Sequence, residues 1–312
     1  MGVLILASKS DSASMTLYDA MLRLDGWGET LSSSVGDYFI HKCGRVYLLV
    51  IDQIHIRAND IDSTFKKSTN LPVDDVLILS RHVSSSNTPA MTLHAIGIPG
   101  ALPYGQEGKS GGKNGTLVPP SRYFASLFRR MNNLARERNL HHDFDLTMET
   151  THHGPILKTP TLYIEIGSTE NEWNRNDVAE CWAEVISDVL GMFDSKSKFF
   201  NSNLEVMIGF GGGHYAPRHK AVIIDSEINL GHLIANYSLI FDQKSKSENP
   251  SGTWSDCIEK TVESTRISFP NSKIFAHLDR KSFKGWERSV IIQKLDELGI
   301  EVRRGKQISQ RE

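Results

Sequence analysis

The chain has 312 residues, of which 39% are apolar, enough to bury one large core or two smaller ones. Its 35 Lys and Arg nearly cancel 37 Asp and Glu, which excludes a globally cationic nucleic-acid binder and leaves any phosphate to a local basic surface. Three scattered cysteines, Cys43, Cys181 and Cys257, fit neither a disulfide framework nor a zinc-finger spacing, and a reducing compartment is expected.

The apolar start Val3-Leu4-Ile5-Leu6-Ala7 turns polar at Ser8-Lys9-Ser10-Asp11, too soon for a signal peptide or a membrane span. A cytoplasmic protein with no membrane partner and no obligate protein partner is expected. Short Val-, Ile- and Leu-rich runs predict buried strands at 3–7, 46–51, 75–79, 144–148, 161–166, 204–209, 221–224 and 273–278. Helical periodicity falls at 12–24, 121–138, 173–190, 255–267 and 284–298, the last opened by Ser282 and closed by Gly299. The alternation predicts an α/β fold, a three-layer α/β/α arrangement with a mostly parallel or mixed sheet. Residues 1–312 read as one catalytic unit, with insertions near 85–120 and 240–255 as material for a smaller subdomain. The Gly-rich 105–115 stretch and the polar 242–253 stretch read as surface loops.

Several predicted strands run straight into catalytic-type residues. The run to Leu79 meets Ser80-Arg81-His82, and the run to Met148 meets Glu149-Thr150-Thr151-His152-His153-Gly154-Pro155. The strand carrying Glu165 ends in Gly167-Ser168-Thr169-Glu170. Another leads into Gly211-Gly212-Gly213-His214-Tyr215-Ala216-Pro217-Arg218-His219, and the last into His277-Leu278-Asp279-Arg280-Lys281-Ser282-Phe283-Lys284-Gly285-Trp286. Ligand sites of open α/β sheets lie outside the carboxyl ends of the strands, so these clusters are expected to share one rim and form an enzyme site. The three consecutive glycines offer either an anion-binding nest of backbone N–H groups or a tight turn. Neither a dinucleotide fingerprint nor a P-loop surrounds them, and the chain has no HExxH. A zinc site assembled from separate strand ends has many candidate ligands, and spacing alone does not choose among them.

These segments, together with Ser86-Asn87 and Thr92-Leu93-His94, resemble in the same order the motifs of the archaeal- and plant-type D-aminoacyl-tRNA (D-tyrosyl-tRNA) deacylases. The likeness covers nearly the whole chain, loosely before about residue 70 and after 300, and the GGGHYAPRH segment is its most specific part. Arg280 stands where the plant-type pattern has His and is not counted as a ligand or base. The resemblance implies a phosphorylase/hydrolase-like fold and zinc-assisted hydrolysis of the ester of D-aminoacyl-tRNA, N-modified substrates included.

Within that reaction, His152 and His214 are placed nearest the chemistry, with Glu149 or Glu165 as the orienting carboxylate. The backbone of Gly211, Gly212 and Gly213, with Arg218, is expected to hold an oxyanion or the terminal phosphate, while Arg81, Lys281 and Lys284 meet the substrate. His82, His94, His153 and His219 are the candidate zinc ligands. With no GxSxG elbow and no cysteine in the motifs, direct attack by water is expected.

On helix 121–138, Phe124, Leu127, Phe128, Met131 and Leu134 form an apolar stripe, while Arg122, Arg129 and Arg136 recur every seven residues as a strip for tRNA phosphates. The alternatives are a zinc peptidase or peptidyl-tRNA hydrolase-like enzyme on the same scaffold, and a non-catalytic tRNA-binding module.

Overall fold

The computed structural model describes residues 1–100, 109–194, 203–242 and 250–308. Residues 105–108 and 243–249 of the two expected surface loops lie outside the described residues. In chain order the strands are β1 (Val3–Ser8), β2 (Leu31–Ser33), β3 (Gly36–Ile40), β4 (Val46–Ile51), β5 (Asp75–His82), β6 (Ala90–His94) and β7 (Gly97–Ile98). They continue with β8 (Thr116–Leu117), β9 (Asp145–Leu146), β10 (Thr161–Gly167), β11 (Val206–Phe210), β12 (Asn229–Ile234), β13 (Ile274–Leu278) and β14 (Glu301–Arg303). The helices are α1 (Ser12–Leu22), α2 (Ile61–Thr69), α3 (Phe124–Glu137), α4 (Glu170–Trp173), α5 (Asn176–Leu190), α6 (Pro217–Ile224), α7 (Trp254–Ser268), α8 (Gly285–Glu297) and α9 (Gly305–Ile308).

The strands form two main sheets where the sequence predicts one. The larger is mixed, in the order β2-β3-β4-β1-β5-β10-β6-β9, and the smaller is parallel, in the order β12-β11-β13-β14. Strands β1, β4, β5 and β10 are parallel neighbours and buried almost throughout, as their unbroken apolar runs require. On one face of the large sheet, Ile5, Leu48, Leu77 and Ile164 pack with residues of α1, α3 and α5; on the other, Leu4, Leu49, Ile78 and Tyr163 pack with Ile61 and Phe65 of α2. These are the three layers expected. The first apolar cluster also takes in Met207, Leu230, Leu233 and Phe275 of the small sheet, so α3 sits between the two sheets. Phe124, Leu127, Phe128, Met131 and Leu134 are all buried there, and burying such side chains contributes about 1.5–3 kcal/mol each.

Four expectations need correction. The apolar run 221–224 is the last turn of α6, begun by Pro217 at its first position, because a four-residue run does not distinguish a strand from a buried helical turn. The run 144–148 is strand only at Asp145–Leu146, although Thr147 and Glu149 still donate N–H bonds to Met91 and Leu93. The 173–190 helix is two helices, α4 and α5. Helix α8 is opened by Lys284, not Ser282; the Lys284 N–H donates to Glu287 Oε2, and Gly299 at φ +71° ends the helix. The 85–120 stretch supplies β6, next to the edge strand β9 of the large sheet, besides the antiparallel β7–β8 pair.

Candidate active site

The carboxyl ends of β5 and β10, the segment after β9, and the loop after β11 meet in a cavity of about 440 Å³. Its wall carries Ser80, Arg81, His82, Glu149, His152, His153, Glu165, His214 and Tyr215. The loop after β11 is anchored there by backbone bonds: Thr150 N–H donates to the His214 carbonyl and Thr151 N–H to the Leu233 carbonyl. The site is thus built from both sheets. His152 and His214 lie 4.6 Å apart between ring centroids.

Glu149 is the hub. His214 Nε2 lies 2.6 Å and His152 Nε2 3.5 Å from its Oε2, and His82 Nδ1 lies 3.1 Å from its Oε1. Yet neither Glu149 oxygen has a well-aligned hydrogen-bond donor, although the residue is 1% exposed. Burial would raise the Glu149 carboxyl, but the imidazoles of His214 and His82 overcome it and hold it well below the usual carboxylate range. Glu165 is better satisfied, since Ser80 Oγ donates to its Oε1 at 2.9 Å and His82 Nδ1 meets its Oε2 at 3.3 Å. Against burial, His82 and His94 lower it to about 2. Burial also opposes charge on His82, but Glu149 and Glu165 outweigh it and push that imidazole up to about 11.

His152 and His153 behave oppositely. Burial and the neighbouring His94 hold both well below the ordinary imidazole value, so they are neutral at pH 7. His152 Nδ1 donates to the Thr150 carbonyl at 2.7 Å, which leaves its Nε2 with a lone pair for a ligand, whereas His94, whose Nδ1 donates to the Ala95 carbonyl at 3.0 Å, is raised against burial by Glu165 and Glu149. His94 stacks on Tyr163 at 5.0 Å and lies 4.0 Å from the His152 ring. His94 Nε2 and His153 Nδ1 are buried without hydrogen-bond partners. Three groups can hold a cation: His94–His152–His153, Glu149–His152–His214 and His82–Glu149–Glu165, each with ligand atoms within 4.8 Å. Buried, unsatisfied carboxylate and imidazole atoms at this spacing are what a bound cation would satisfy.

Other expected site residues lie elsewhere. His219 joins none of these three groups; its Nδ1 meets His277 Nδ1 at 2.8 Å and its Nε2 donates to the Gly211 carbonyl at 3.2 Å. Gly211, at φ +98°, and Gly212, at φ +84°, make a tight turn whose N–H groups already serve the chain, Gly211 donating to the Ile234 carbonyl and Gly212 to Ser282 Oγ. A side chain at Gly211 would meet Phe283 and Asp279. Arg218 pairs with Asp279 at 3.1 Å, and Lys281 and Lys284 line a second cavity. The arginine strip is largely committed: Arg122 pairs with Asp75 and donates to the Asp74 carbonyl, and Arg129 donates to the carbonyls of Ile223, Ser226 and Ile228. Arg136 is exposed.

Two cavity residues escaped the sequence reading. Asp11 caps α1 through the Ser14 N–H, and its other oxygen meets His55 Nε2 at 3.0 Å. His55 Nδ1 in turn meets the Tyr163 hydroxyl at 2.9 Å, which extends the network to the face of His94. Asp11 and His55 follow the carboxyl ends of β1 and β4, so the positional rule that found the other clusters applies to them too.

Comparison with known proteins places this geometry in a family. The model of the D-aminoacyl-tRNA deacylase family matches residues 69–303. A D-aminoacyl-tRNA deacylase of Arabidopsis thaliana is 37% identical, over 97% of this chain and 98% of that protein. One from Methanosarcina acetivorans is 30% identical over 99% of this chain and 94% of its own length. A crystal structure of a conserved protein of unknown function superimposes with a TM-score of 0.78 at 25% identity, covering 99% of this chain and 96% of that one. The motifs that gather at Glu149 fall inside the matched span, and the likeness runs through both sheets: the chain belongs to the D-aminoacyl-tRNA deacylase family.

Proposed function

We propose that this chain hydrolyses the ester joining a D-amino acid to the terminal ribose of tRNA, and that the reaction depends on zinc. The observation that supports the metal is Glu149, a buried carboxylate with imidazoles around it and no aligned donor to either oxygen. Glu149, His152 and His214 would hold the ion, with His152 and His214 partly exposed toward the cavity so that a coordination position stays open. A zinc ion bound there would acidify water and polarise the ester carbonyl.

The remaining groups handle the proton. Tyr215 Oη meets His82 Nε2 at 3.1 Å and His82 Nδ1 meets Glu165 Oε2, so a hydrogen-bonded chain runs from the cavity to the buried carboxylate. The water oxygen bonds to the ester carbon and the bond to the ribose oxygen breaks. His82, held protonated by Glu149 and Glu165, donates through Nε2 to Tyr215, whose hydroxyl gives a proton to the departing ribose oxygen, and the proton lost by the water replaces it on His82. Ile54, Ile56 and Val83 line the apolar side of the cavity and receive the amino-acid side chain. Arg81 is partly exposed and lies over Trp173 at 5.3 Å, placed to meet the terminal phosphate.

The test offers D-tyrosyl-tRNA and L-tyrosyl-tRNA to the purified protein, with and without chelator. Release of amino acid from the D form alone, abolished by chelator and restored by zinc, is expected. Equal release from both forms would reject the substrate, and full turnover by metal-free protein would reject the metal. Protection of the charged tRNA without turnover would favour the binding module instead.

A further inference from the structure

A second cavity, about 410 Å³, lies beyond the Gly211–His214 turn and is lined by Asn236, Phe241, Lys281, Ser282, Phe283 and Lys284, with Leu239 and Glu287. It is tied to the first through one residue. Gly212 N–H donates to Ser282 Oγ at 2.7 Å and the Gly212 carbonyl accepts from the Asn236 N–H at 3.1 Å, while two residues on His214 reaches Glu149. Tyr237, next to Asn236, completes the connection, its hydroxyl lying 3.4 Å from His214 Nδ1.

The wall is basic and aromatic. Arg280, Lys281 and Lys284 are exposed, and among the described residues Arg280 and Lys281 make no ion pair. Lys284 approaches Glu287 only at 3.8 Å, an exposed contact worth little. The half-buried Phe241 ring is braced by Trp254, stacked at 5.3 Å, and by Trp286, edge-on at 5.3 Å. A cationic groove with a braced aromatic ring is the arrangement that holds single-stranded nucleic acid: the cations follow the phosphates and the ring offers a face to a base. Ser282 Oγ accepts from Gly212 N–H with one of its two lone pairs and keeps its own proton to donate to a ribose or base acceptor.

We propose that this cavity binds the single-stranded ribonucleotides directly upstream of the terminal adenosine, the two cytidines of the CCA end, with Lys281 and Lys284 on their phosphates and Phe241 beneath a base. The inference rests on the reading of the first cavity as the site of the aminoacyl ester, since the Gly212 turn then separates the last nucleotide from those before it. It assigns RNA recognition to this groove and away from α3, whose Arg122 and Arg129 are bound to the chain's own carbonyls.

The test measures binding without turnover, so that it stands apart from the deacylase assay. Wild-type protein is titrated with a labelled CCA trinucleotide and with adenosine 5′-monophosphate across a salt series. The Lys281→Gln/Lys284→Gln variant is treated the same way, with its melting temperature as the folding control and Lys281→Arg/Lys284→Arg as the charge-retaining partner. Wild type is expected to bind the trinucleotide at least tenfold more tightly than the monophosphate. In the Gln variant that advantage falls to about twofold and the salt slope drops by about 1.4, or about 0.7 per lost phosphate contact on a single strand. The Arg variant keeps most of both. No preference for the trinucleotide in wild type, or an unchanged preference and slope in a folded Gln variant, would overturn the proposal. A failed deacylase assay alongside intact trinucleotide preference would instead strike the reading of the first cavity.

Discussion

Two groups of histidines lie near the turn after β11, and they differ in the carboxylates within their reach. Around Glu149 and Glu165 stand His82, His94, His152, His153 and His214, with polar atoms left unsatisfied. His219 and His277 stand ring to ring at 4.9 Å, and among the described residues the acid beside them, Asp279, is taken by Arg218. Burial opposes charge in both places. With two carboxylates His82 rises to about 11; with another imidazole as neighbour, His219 falls to about 3. A histidine in a motif is therefore not in itself a site residue, and what separates the two groups is a buried acid whose oxygens are not already spoken for.

The most severe test of that contrast is Glu149→Gln. Removing the hub charge is expected to lower turnover by roughly 10³-fold, to reduce zinc content of the purified protein to background, and to lower the melting temperature of the metal-free form as well. In the metal-free protein His214 and His82 hold the Glu149 carboxylate ionised against burial, so the neutral amide removes a stabilising charge and leaves the His82 imidazolium with Glu165 alone. Retained turnover with full zinc content would dissolve the distinction between the two groups.

His219→Ala is the converse. It removes a fully buried ring and the donor to the Gly211 carbonyl, and is expected to cost about 2–4 kcal/mol of stability in denaturant melts. Zinc content of the folded fraction should match wild type. A loss of zinc equal to that of Glu149→Gln would return His219 to the ligand set.

The positions of these groups were legible in the sequence to the extent that strands announce themselves. Buried parallel strands are continuous apolar runs, so the residues that interrupt them at Ser80, Glu149 and Gly211 mark the rim directly. Two things were not legible. That β11, β12, β13 and β14 make a sheet of their own depends on which edges pair, information that apolar runs do not carry, and it is this separation that puts Lys281 and Arg218 outside the first cavity. Nor does spacing reveal that His219 turns inward toward His277, since α6, which aims it from its first turn, ends in an apolar stretch that also reads as a strand. Asp11 and His55 escape for a simpler reason: the polar segments at the ends of their strands, Ser8-Lys9-Ser10-Asp11 and Asp52-Gln53-Ile54-His55, carry no paired histidines or glycine run of the kind that marks the other strand ends.

The contrast also appears in the dependence of stability on pH. His219 binds a proton in the unfolded chain below about 6.5 but not in the folded protein until about 3, so its contribution is lost as pH falls through that window. Asp75 has the opposite sign. Burial, opposed by Ser121 and Arg122, raises it to about 7, so the folded state keeps a proton that the unfolded chain sheds above about 3.8, and stability is lost as pH rises between those values. Between pH 4.5 and 6, Asp75→Asn should steepen the rise of unfolding free energy with pH by about 1.4 kcal/mol per unit, and His219→Ala should flatten it by the same amount. Parallel shifts in the same direction would show that the two environments do not differ as described.

The smallest effect is expected on α3, where burial again decides what a charged side chain is for. Arg129 caps three carbonyls between the end of α6 and the approach to β12, and Arg122 is held by Asp75, so their charges are partly spent inside the molecule. Arg136 is exposed, and its side chain donates through Nε to Asn132 Oδ1 on its own helix at 3.3 Å. Arg129→Gln should therefore register mainly in melting, by about 1–2 kcal/mol, because removing one donor leaves several buried acceptors unmatched. Arg136→Gln should leave melting within about 0.5 kcal/mol of wild type. If α3 touches tRNA at all, Arg136 is where it does so, and the salt slope of tRNA binding should then fall by no more than about 0.9, the share of a single phosphate on a duplex. A larger drop for Arg136→Gln than for the Lys281→Gln/Lys284→Gln pair would move the main RNA contact back to the helix and leave the second cavity without its role.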